Sequence, residues 1–193
     1  GGQVIINDEF RIIESTHLKL LGNGSKTNLY GVKVNGPQKV NIKSAMSIYR
    51  ASRDVEVAYY DISNALGRAA LHYNNGKPQT DANGEYVPTL DPISGEVIVQ
   101  TNSRVHHNFI HNSLEGEGLY VGVAGCDQAY FQNGAASEYT YIHDNIVVDH
   151  GADGIQVGCS RKDTLIFNNY IKNVGYKPFA SDHTKGIQLG MGT

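Results

Sequence analysis

The sequence predicts an all-β fold, a right-handed parallel β-helix in which a single-stranded solenoid adds one coil after another. Segments of one pattern recur at 105–123, 141–159 and 166–190. In each, an apolar residue is followed by Asn three positions later and by a β-branched residue five positions later. A strand of the form Gly-apolar-x-apolar-Gly then closes the segment. The composition, with 22 Gly and 12 Tyr among 193 residues and no Trp, also favours turns and pleated strands over helices.

The recurring apolar positions define three columns that we expect to stack about 4.8 Å apart as a continuous core. The columns contain Val57, Val105, Ile142 and Ile166; Ile62, Ile110, Val147 and Ile171; and Leu71, Leu119, Ile155 and Ile187. The repeat length varies, and the constant part is only about 20 residues. Helical repeats need apolar residues at 3.6-residue spacing, and leucine-rich repeats need a fixed leucine framework, so neither pattern fits.

Three asparagines, Asn108, Asn145 and Asn169, share one position of the repeat. We expect them to lie at a bend, where Asn tolerates left-handed backbone geometry, and to form a ladder of side-chain amides. The segment 62–73 is the one ambiguous stretch, because its Ala and Leu residues favour a helix. Its alignment with the later coils predicts strand, turn and strand instead.

One domain is expected over 1–193, with loop insertions at about 74–96, 124–139 and 175–185. Because the chain opens on GGQVII and closes on GIQLGMGT after a strand motif, we expect a fragment of a longer chain. The two cysteines, Cys126 and Cys159, each follow a repeat strand. They are either a disulfide, which would fit an oxidising extracellular setting, or two separate small buried residues.

The charge and hydropathy argue against two classes of partner. A net charge of −3 gives no basic footprint for nucleic acid, and no apolar run approaches the roughly 20 residues needed for membrane insertion. Long loops on a regular scaffold usually carry function, so we expect the three insertions to form the walls of a groove.

The segments VHHNFIHNSLEGEGLYVG, YIHDNIVVDHGADGIQVG and LIFNNYIKN with KGIQLG resemble the repeats of secreted bacterial right-handed β-helix proteins of the pectin-lyase-like superfamily. The resemblance covers about 53–193 well and 1–52 loosely. It implies an extracellular or cell-surface protein, most often a polysaccharide lyase or glycoside hydrolase and sometimes a non-catalytic adhesin. No catalytic subfamily is matched, since the Asn-Thr-Asp, Gly-His-Gly and Arg-Ile-Lys elements of polygalacturonases are missing. Candidate site residues therefore follow only from the aligned positions of the repeats.

The outward residues of the closing strands form the first candidate row, with flat aromatic faces and amides suited to a sugar ring. This row contains Lys33, His72, Tyr120, Gln156 and Gln188. We assign substrate binding to Tyr120, Gln156, Gln188 and Arg68, and proton transfer to Glu117, Asp153, Lys185 and His72. A lyase needs a base and a group that neutralises the uronate, whereas a hydrolase needs two carboxylates about 5–10 Å apart. Glu117 and Asp153 on neighbouring coils fit the short end of that range.

No cofactor is required by this assignment, although Ca²⁺ is one alternative. Its hard oxygen ligands would be Glu115, Glu117, Asp149 and Asp153, and ordinary solvated turn carboxylates are the other interpretation. The histidines lack a His-Glu-x-x-His motif. His106 aligns with His143 on the next coil, and we interpret the two as stacked surface imidazoles.

Two functions remain open at this point. The first is an extracellular β-helix that processes or binds polysaccharide in a cleft along one parallel sheet. The second is a non-catalytic structural or adhesive surface module that associates end to end or with further domains of the same chain.

Overall fold

Parallel strands in three sheets form almost all of the regular structure. The computed structural model describes residues 3–25, 28–37, 44–50, 52–74, 79–88, 90–91, 93–123 and 136–190. Each coil contributes one strand to each of sheets 1, 2 and 3, and no helix occurs in the described part of the chain. This is the all-β, solenoid-like arrangement that the repeats predict.

The strands of sheet 1 begin most coils. They are β3 (Thr16–Leu21), β8 (Arg53–Ala58), β14 (Arg104–His106), β17 (Ser137–His143) and β20 (Ser160–Phe167), with the short β13 (Gln100–Thr101) on β17. Sheet 2 follows, with β1 (Val4–Ile6), β6 (Val32–Asn35), β9 (Tyr60–Ser63), β15 (Phe109–Ser113), β18 (Ile146–His150) and β21 (Tyr170–Val174).

Sheet 3 closes each coil and carries the candidate site. Its strands are β2 (Phe10–Ile13), β7 (Met46–Tyr49), β10 (Leu71–Tyr73), β16 (Leu119–Val121), β19 (Ile155–Val157) and β22 (Ile187–Leu189). Two antiparallel hairpins lie outside the coils, β4 (Asn23–Ser25) with β5 (Asn28–Tyr30), and β11 (Gln79–Thr80) with β12 (Tyr86–Val87).

The three predicted apolar columns are confirmed by the pairing register. Val57, Val105, Ile142 and Ile166 are successive partners in sheet 1, and the columns through Ile110 and Leu119 pair in the same way in sheets 2 and 3. Their members in the central coils are fully buried. The core therefore runs along the inside of the stacked sheets because β-branched and leucine side chains recur at the same inward position.

The Asn ladder is also confirmed, but the expected backbone geometry is wrong for its members. The left-handed residues are those just before the ladder, such as His107 (φ 54°) and Asp144 (φ 55°), and a second bend at Asn112 and its equivalents. Asn108 and Asn145 keep the ordinary backbone of a strand start. Their side chains turn inward and bond to neighbouring coils.

The loop predictions are confirmed only in part. The segment 62–73 is strand, turn and strand, as the alignment predicts. The 74–96 insertion contains the β11–β12 hairpin, and β17 begins inside the predicted 124–139 loop. Most of that loop, including Cys126, lies outside the described residues, whereas the 175–185 segment contains no strand. The described residues contain no helix with the length and apolar character that a membrane crossing requires.

Candidate functional site

The outward residues of sheet 3 form a continuous row, which we call the sheet 3 row. Its members, paired strand to strand, are Arg11, Ser47, His72, Tyr120, Gln156 and Gln188, of which Ser47, His72 and Gln156 are buried. Lys33 was predicted in this row, and that assignment is wrong. Lys33 pairs with Asp61 in sheet 2, with its Nζ 3.5 Å from Oδ2, and Ser47 takes the expected place. The first coils have irregular spacing, so the sequence alignment assigned this strand to the wrong sheet.

His72 is a neutral, fully engaged imidazole. Its ring stacks on Tyr120 with the centroids 5.0 Å apart, and the Tyr49 hydroxyl lies 3.1 Å from Nδ1. The Asn74 amide bonds Nε2. Burial, and to a smaller extent the charge of Arg68, lowers the pKa of His72 to about 3. These contacts fit a residue that fixes Tyr120 better than one that moves protons.

The amides of the row differ in their bonding. Gln156 is buried, and its Oε1 has no hydrogen-bond donor among the described residues. Gln188, with its amide nitrogen facing the acceptors, donates to Asp153 Oδ2 at 2.8 Å and to the Asp182 carbonyl at 3.1 Å. The row therefore contains one acceptor that lacks a donor and one donor committed to a carboxylate.

Glu117, Asp153 and Lys185 occupy one position on successive coils, as the second predicted row requires. The Gly118 N–H donates to the Asp153 carbonyl at 2.9 Å, and the Gly154 N–H donates to the Lys185 carbonyl at 3.0 Å. A Cβ on Gly118 would lie 2.5 Å from Val147 Cγ1, so the chain must use glycine there. The glycine lets the backbone pack tightly against the core and fixes Glu117 directly before the strand.

His183 brings the two carboxylates into one cluster. Its Nδ1 lies 3.3 Å from Glu117 Oε1 and 3.4 Å from Asp153 Oδ2. Glu117 is 3% exposed and Asp153 is 0% exposed, whereas the side chain of His183 is 15% exposed. The 175–185 segment therefore lays an imidazole over two buried acids, and Phe179 packs on that ring with the centroids 4.5 Å apart.

Both acids have perturbed pKa values. Burial raises the pKa of Glu117, and the neighbouring charge of Asp153 raises it further. Burial also raises the pKa of Asp153, although the Lys185 N–H, which donates to Oδ1 at 2.6 Å, opposes that change. The pair therefore holds protons to higher pH than exposed carboxylates do, as acid-base centres require.

Of the remaining predicted residues, Lys185 reaches this cluster through its backbone N–H and its charge. Lys185 Nζ donates to the Asp182 carbonyl at 2.7 Å, and Arg68 is exposed, with its backbone carbonyl accepting from Ser113 Oγ at 2.9 Å. Of the four residues considered for Ca²⁺, only Glu117 and Asp153 come together. Glu115 pairs with Lys177 Nζ at 2.7 Å, and Asp149 Oδ1 accepts from Asn173 at 2.6 Å.

Sequence reasoning missed His183, Tyr49 and Asn74. His183 lies in the 175–185 insertion, which was expected to line the groove, but the sequence of that loop contains no spacing that singles out His183.

Comparison of the chain with protein-family models, with curated proteins and with solved structures found no match.

Proposed function

We propose that the protein is an extracellular right-handed β-helix that binds a polysaccharide along sheet 3 and cleaves it at Glu117 and Asp153. One observation carries this proposal. Two buried carboxylates from successive coils meet the same imidazole nitrogen beside a row of aromatic and amide side chains. The secreted β-helix resemblance of the repeats and the disulfide bond of Cys159 support an extracellular location.

The environments of the two acids assign their roles. Asp153 accepts hydrogen bonds from the Lys185 N–H and the Gln188 amide, and such donors favour the ionised form. Glu117 lies in a buried position next to that charge, which favours its protonated form. Glu117 is therefore the general acid and Asp153 the general base, because neighbouring environments separate the two protonation states.

Hydrolysis follows from these roles. Glu117 gives its proton to the glycosidic oxygen, and the bond from C1 to that oxygen breaks with its electron pair going to the leaving sugar. Asp153 takes a proton from water, whose oxygen forms the new bond to C1. Both acids lie within 3.4 Å of one nitrogen, so the oxygens that face His183 are at most about 7 Å apart, at or below the short end of the roughly 6.5–9.5 Å that an acid and a water-activating base need.

Elimination is the second reaction that the site supports. The Lys185 ammonium would neutralise a uronate at this edge, an unprotonated His183 imidazole would take its C5 proton, and the C4–O4 bond would break with its electron pair going to the leaving sugar. A uronate polymer would then be cleaved without water, leaving an unsaturated product.

A non-catalytic surface module is the other candidate function. The burial of Glu117 and Asp153 favours this module, because His183 covers both acids. Acids covered in this way can stabilise a binding surface without performing chemistry.

The test incubates the protein with a panel of neutral and uronate polysaccharides. New reducing ends report hydrolysis, and unsaturated-product absorbance reports elimination, each measured with and without chelator. We expect Glu117→Gln and Asp153→Asn to abolish product formation while binding in a pull-down persists. Glu115→Gln, a turn carboxylate paired with Lys177, is the matched control and should retain activity. Binding without product in the wild type would support the module instead, and neither binding nor product would reject both.

A further inference from the structure

The corner between sheets 1 and 2 carries a second cluster, on the same two coils as Glu117 and Asp153 but at a different corner. His106 and His143 are register partners, and their rings stack with centroids 4.9 Å apart and planes 1° apart, as the sequence predicts. The residues after them, His107 and Asp144, have left-handed backbones with φ of 54° and 55°. Each coil therefore turns two consecutive side chains toward the same corner.

Three potential ligand atoms gather at this corner. One atom each from His107, His143 and Asp144 lies within 4.8 Å of the others, and no other group of three such residues does so among the residues that the structure describes. The His143 Nδ1 is 2.7 Å from Asp144 Oδ2, and His107 Nε2 is 4.0 Å from the same oxygen. All three residues are only partly buried, so an ion from solvent can reach them.

A chain of hydrogen bonds fixes the tautomer of His107. Glu56 Oε1 lies 3.1 Å from His106 Nε2, and His106 Nδ1 lies 2.9 Å from His107 Nδ1. In the neutral ring, His106 Nε2–H donates to the Glu56 carboxylate. The Nδ1 of His106 is then an acceptor, and His107 Nδ1–H must be the donor.

The consequence is a lone pair directed at a carboxylate. The Nδ1-protonated tautomer of His107 directs its Nε2 lone pair toward Asp144 Oδ2, 4.0 Å away, and a cation between these two atoms would bind both. Asp144 Oδ1 accepts from the Asn168 amide and Oδ2 accepts from His143 Nδ1–H, so an ion at Oδ2 would replace the proton of that second bond.

The charge of Asp144 fits this role. Asp144 offers a carboxylate that also accepts hydrogen bonds from His143 and Asn168. Two imidazoles and one carboxylate form a donor set that first-row transition ions prefer, whereas Ca²⁺ and Mg²⁺ prefer all-oxygen sites. Three protein ligands leave further positions for water or a bound molecule.

We propose that His107, His143 and Asp144 bind a divalent first-row transition metal ion, with His106 as the positioning residue that orients His107. The bond from His106 to His107 is the second-layer contact that metal-ligating histidines commonly make. Binding displaces the proton that His143 Nδ1 shares with Asp144.

Isothermal titration of tag-free protein with Zn²⁺ alone tests this site. We expect saturable binding of one ion per chain, and a visible spectrum with imidazole ligation when Co²⁺ replaces Zn²⁺. His107→Asn and Asp144→Asn, which tolerate the left-handed backbone, should abolish the binding. His106→Phe keeps the ring stack on His143 but removes the acceptor for His107, and it should weaken binding roughly 10- to 100-fold.

The control variants separate this site from other imidazoles. His111→Gln removes a histidine that pairs with Asp61 at 2.8 Å, and His183→Gln removes the one above Glu117. Both should bind Zn²⁺ like the wild type. Thermal unfolding of each metal-free variant verifies that it is folded. Unchanged Zn²⁺ binding in folded His107→Asn, loss of binding in His183→Gln, or no binding by the wild type would each overturn the proposal.

Discussion

The side-chain oxygen of Asn145 accepts hydrogen bonds from both the backbone and the side-chain nitrogen of Asn108, at 3.1 and 3.0 Å. Asn145 makes the same two bonds to Asn169, at 3.1 and 2.9 Å. Each amide also donates to a carbonyl of another coil, as Asn145 does to Val105 at 2.9 Å. The ladder thus ties three coils together at a buried corner where backbone pairing is interrupted.

Replacing Asn145 by Ala should destabilise the protein by about 3 kcal/mol or more. The change leaves the Asn108 donors and the Val105 carbonyl buried without partners, and each such group costs about 1–3 kcal/mol. Denaturant unfolding measures the loss. The control is Asn28→Ala, an exposed strand asparagine, which should change the free energy of unfolding by less than about 0.5 kcal/mol. Equal effects in the two variants would mean that the ladder contributes nothing specific.

His150 should make the protein sensitive to acid. Its Nδ1 accepts from the Ser113 N–H at 3.2 Å and its Nε2–H donates to the Ile110 carbonyl at 3.1 Å, so the neutral ring is fully bonded. Burial lowers its pKa from 6.5 to about 4. Because the folded pKa is the lower one, the unfolded chain takes up the proton first. The stabilisation that neutral His150 gives the folded protein is complete above pH 6.5 and is lost as the pH falls toward 4.

The expected loss across that window is roughly 3 kcal/mol from this one residue. Urea unfolding at a series of pH values should show a shallower dependence in His150→Gln than in the wild type. His17→Asn, at an exposed histidine, should leave the dependence unchanged. The prediction fails if the two variants give the same slope.

Glu117, unlike His150, should lower the stability of the protein as the pH rises. Burial and the charge of Asp153 raise its pKa above 4.5, so the folded state holds the proton more tightly than the unfolded state. Its contribution to stability is present below that value and is lost as the pH rises through the folded pKa. Glu117→Gln remains neutral, so its stability relative to the wild type should increase as the pH rises above 4.5.

The measurement for Glu117→Gln is again unfolding across pH, with Glu85→Gln as the control at an exposed carboxylate. A stability difference that stays constant from acid to neutral pH would show that folding does not raise the pKa of Glu117, and the general-acid role would lose its basis.

Gly118→Ala should destabilise the chain by about 1–3 kcal/mol. The added Cβ would meet Val147 Cγ1 at 2.5 Å and the Gly154 carbonyl at 2.7 Å, so the packed coil must shift. Gly186, the equivalent residue on the last coil, has nothing within 4 Å of such a Cβ. Gly186→Ala is therefore a matched control that should be close to neutral. Thermal unfolding of the two variants makes the comparison, and similar losses would contradict the packing argument.

The sequence by itself determined the stacking of the coils. Inward residues such as Val105 and Ile142 must repeat wherever a solenoid buries them, and the ladder asparagines must recur wherever a bend needs an amide. The repeat of these positions therefore predicts which residues pair between coils. Even the alignment of Glu117 with Asp153 follows, because a glycine and a strand come directly after each. The irregular first coils carried no such constraint, and Lys33 was assigned to the wrong sheet for that reason.

Only the tertiary structure decided which side chains meet at the sites. His183 reaches Glu117 from 66 positions away along the chain, through an insertion whose conformation no repeat dictates. The same holds for Glu56, His106 and His107, whose hydrogen-bond chain depends on ring orientation as well as on register. Repetition fixes where the backbone layers lie, whereas directional contacts between non-repeating side chains depend on distances that exist only once the coils have stacked.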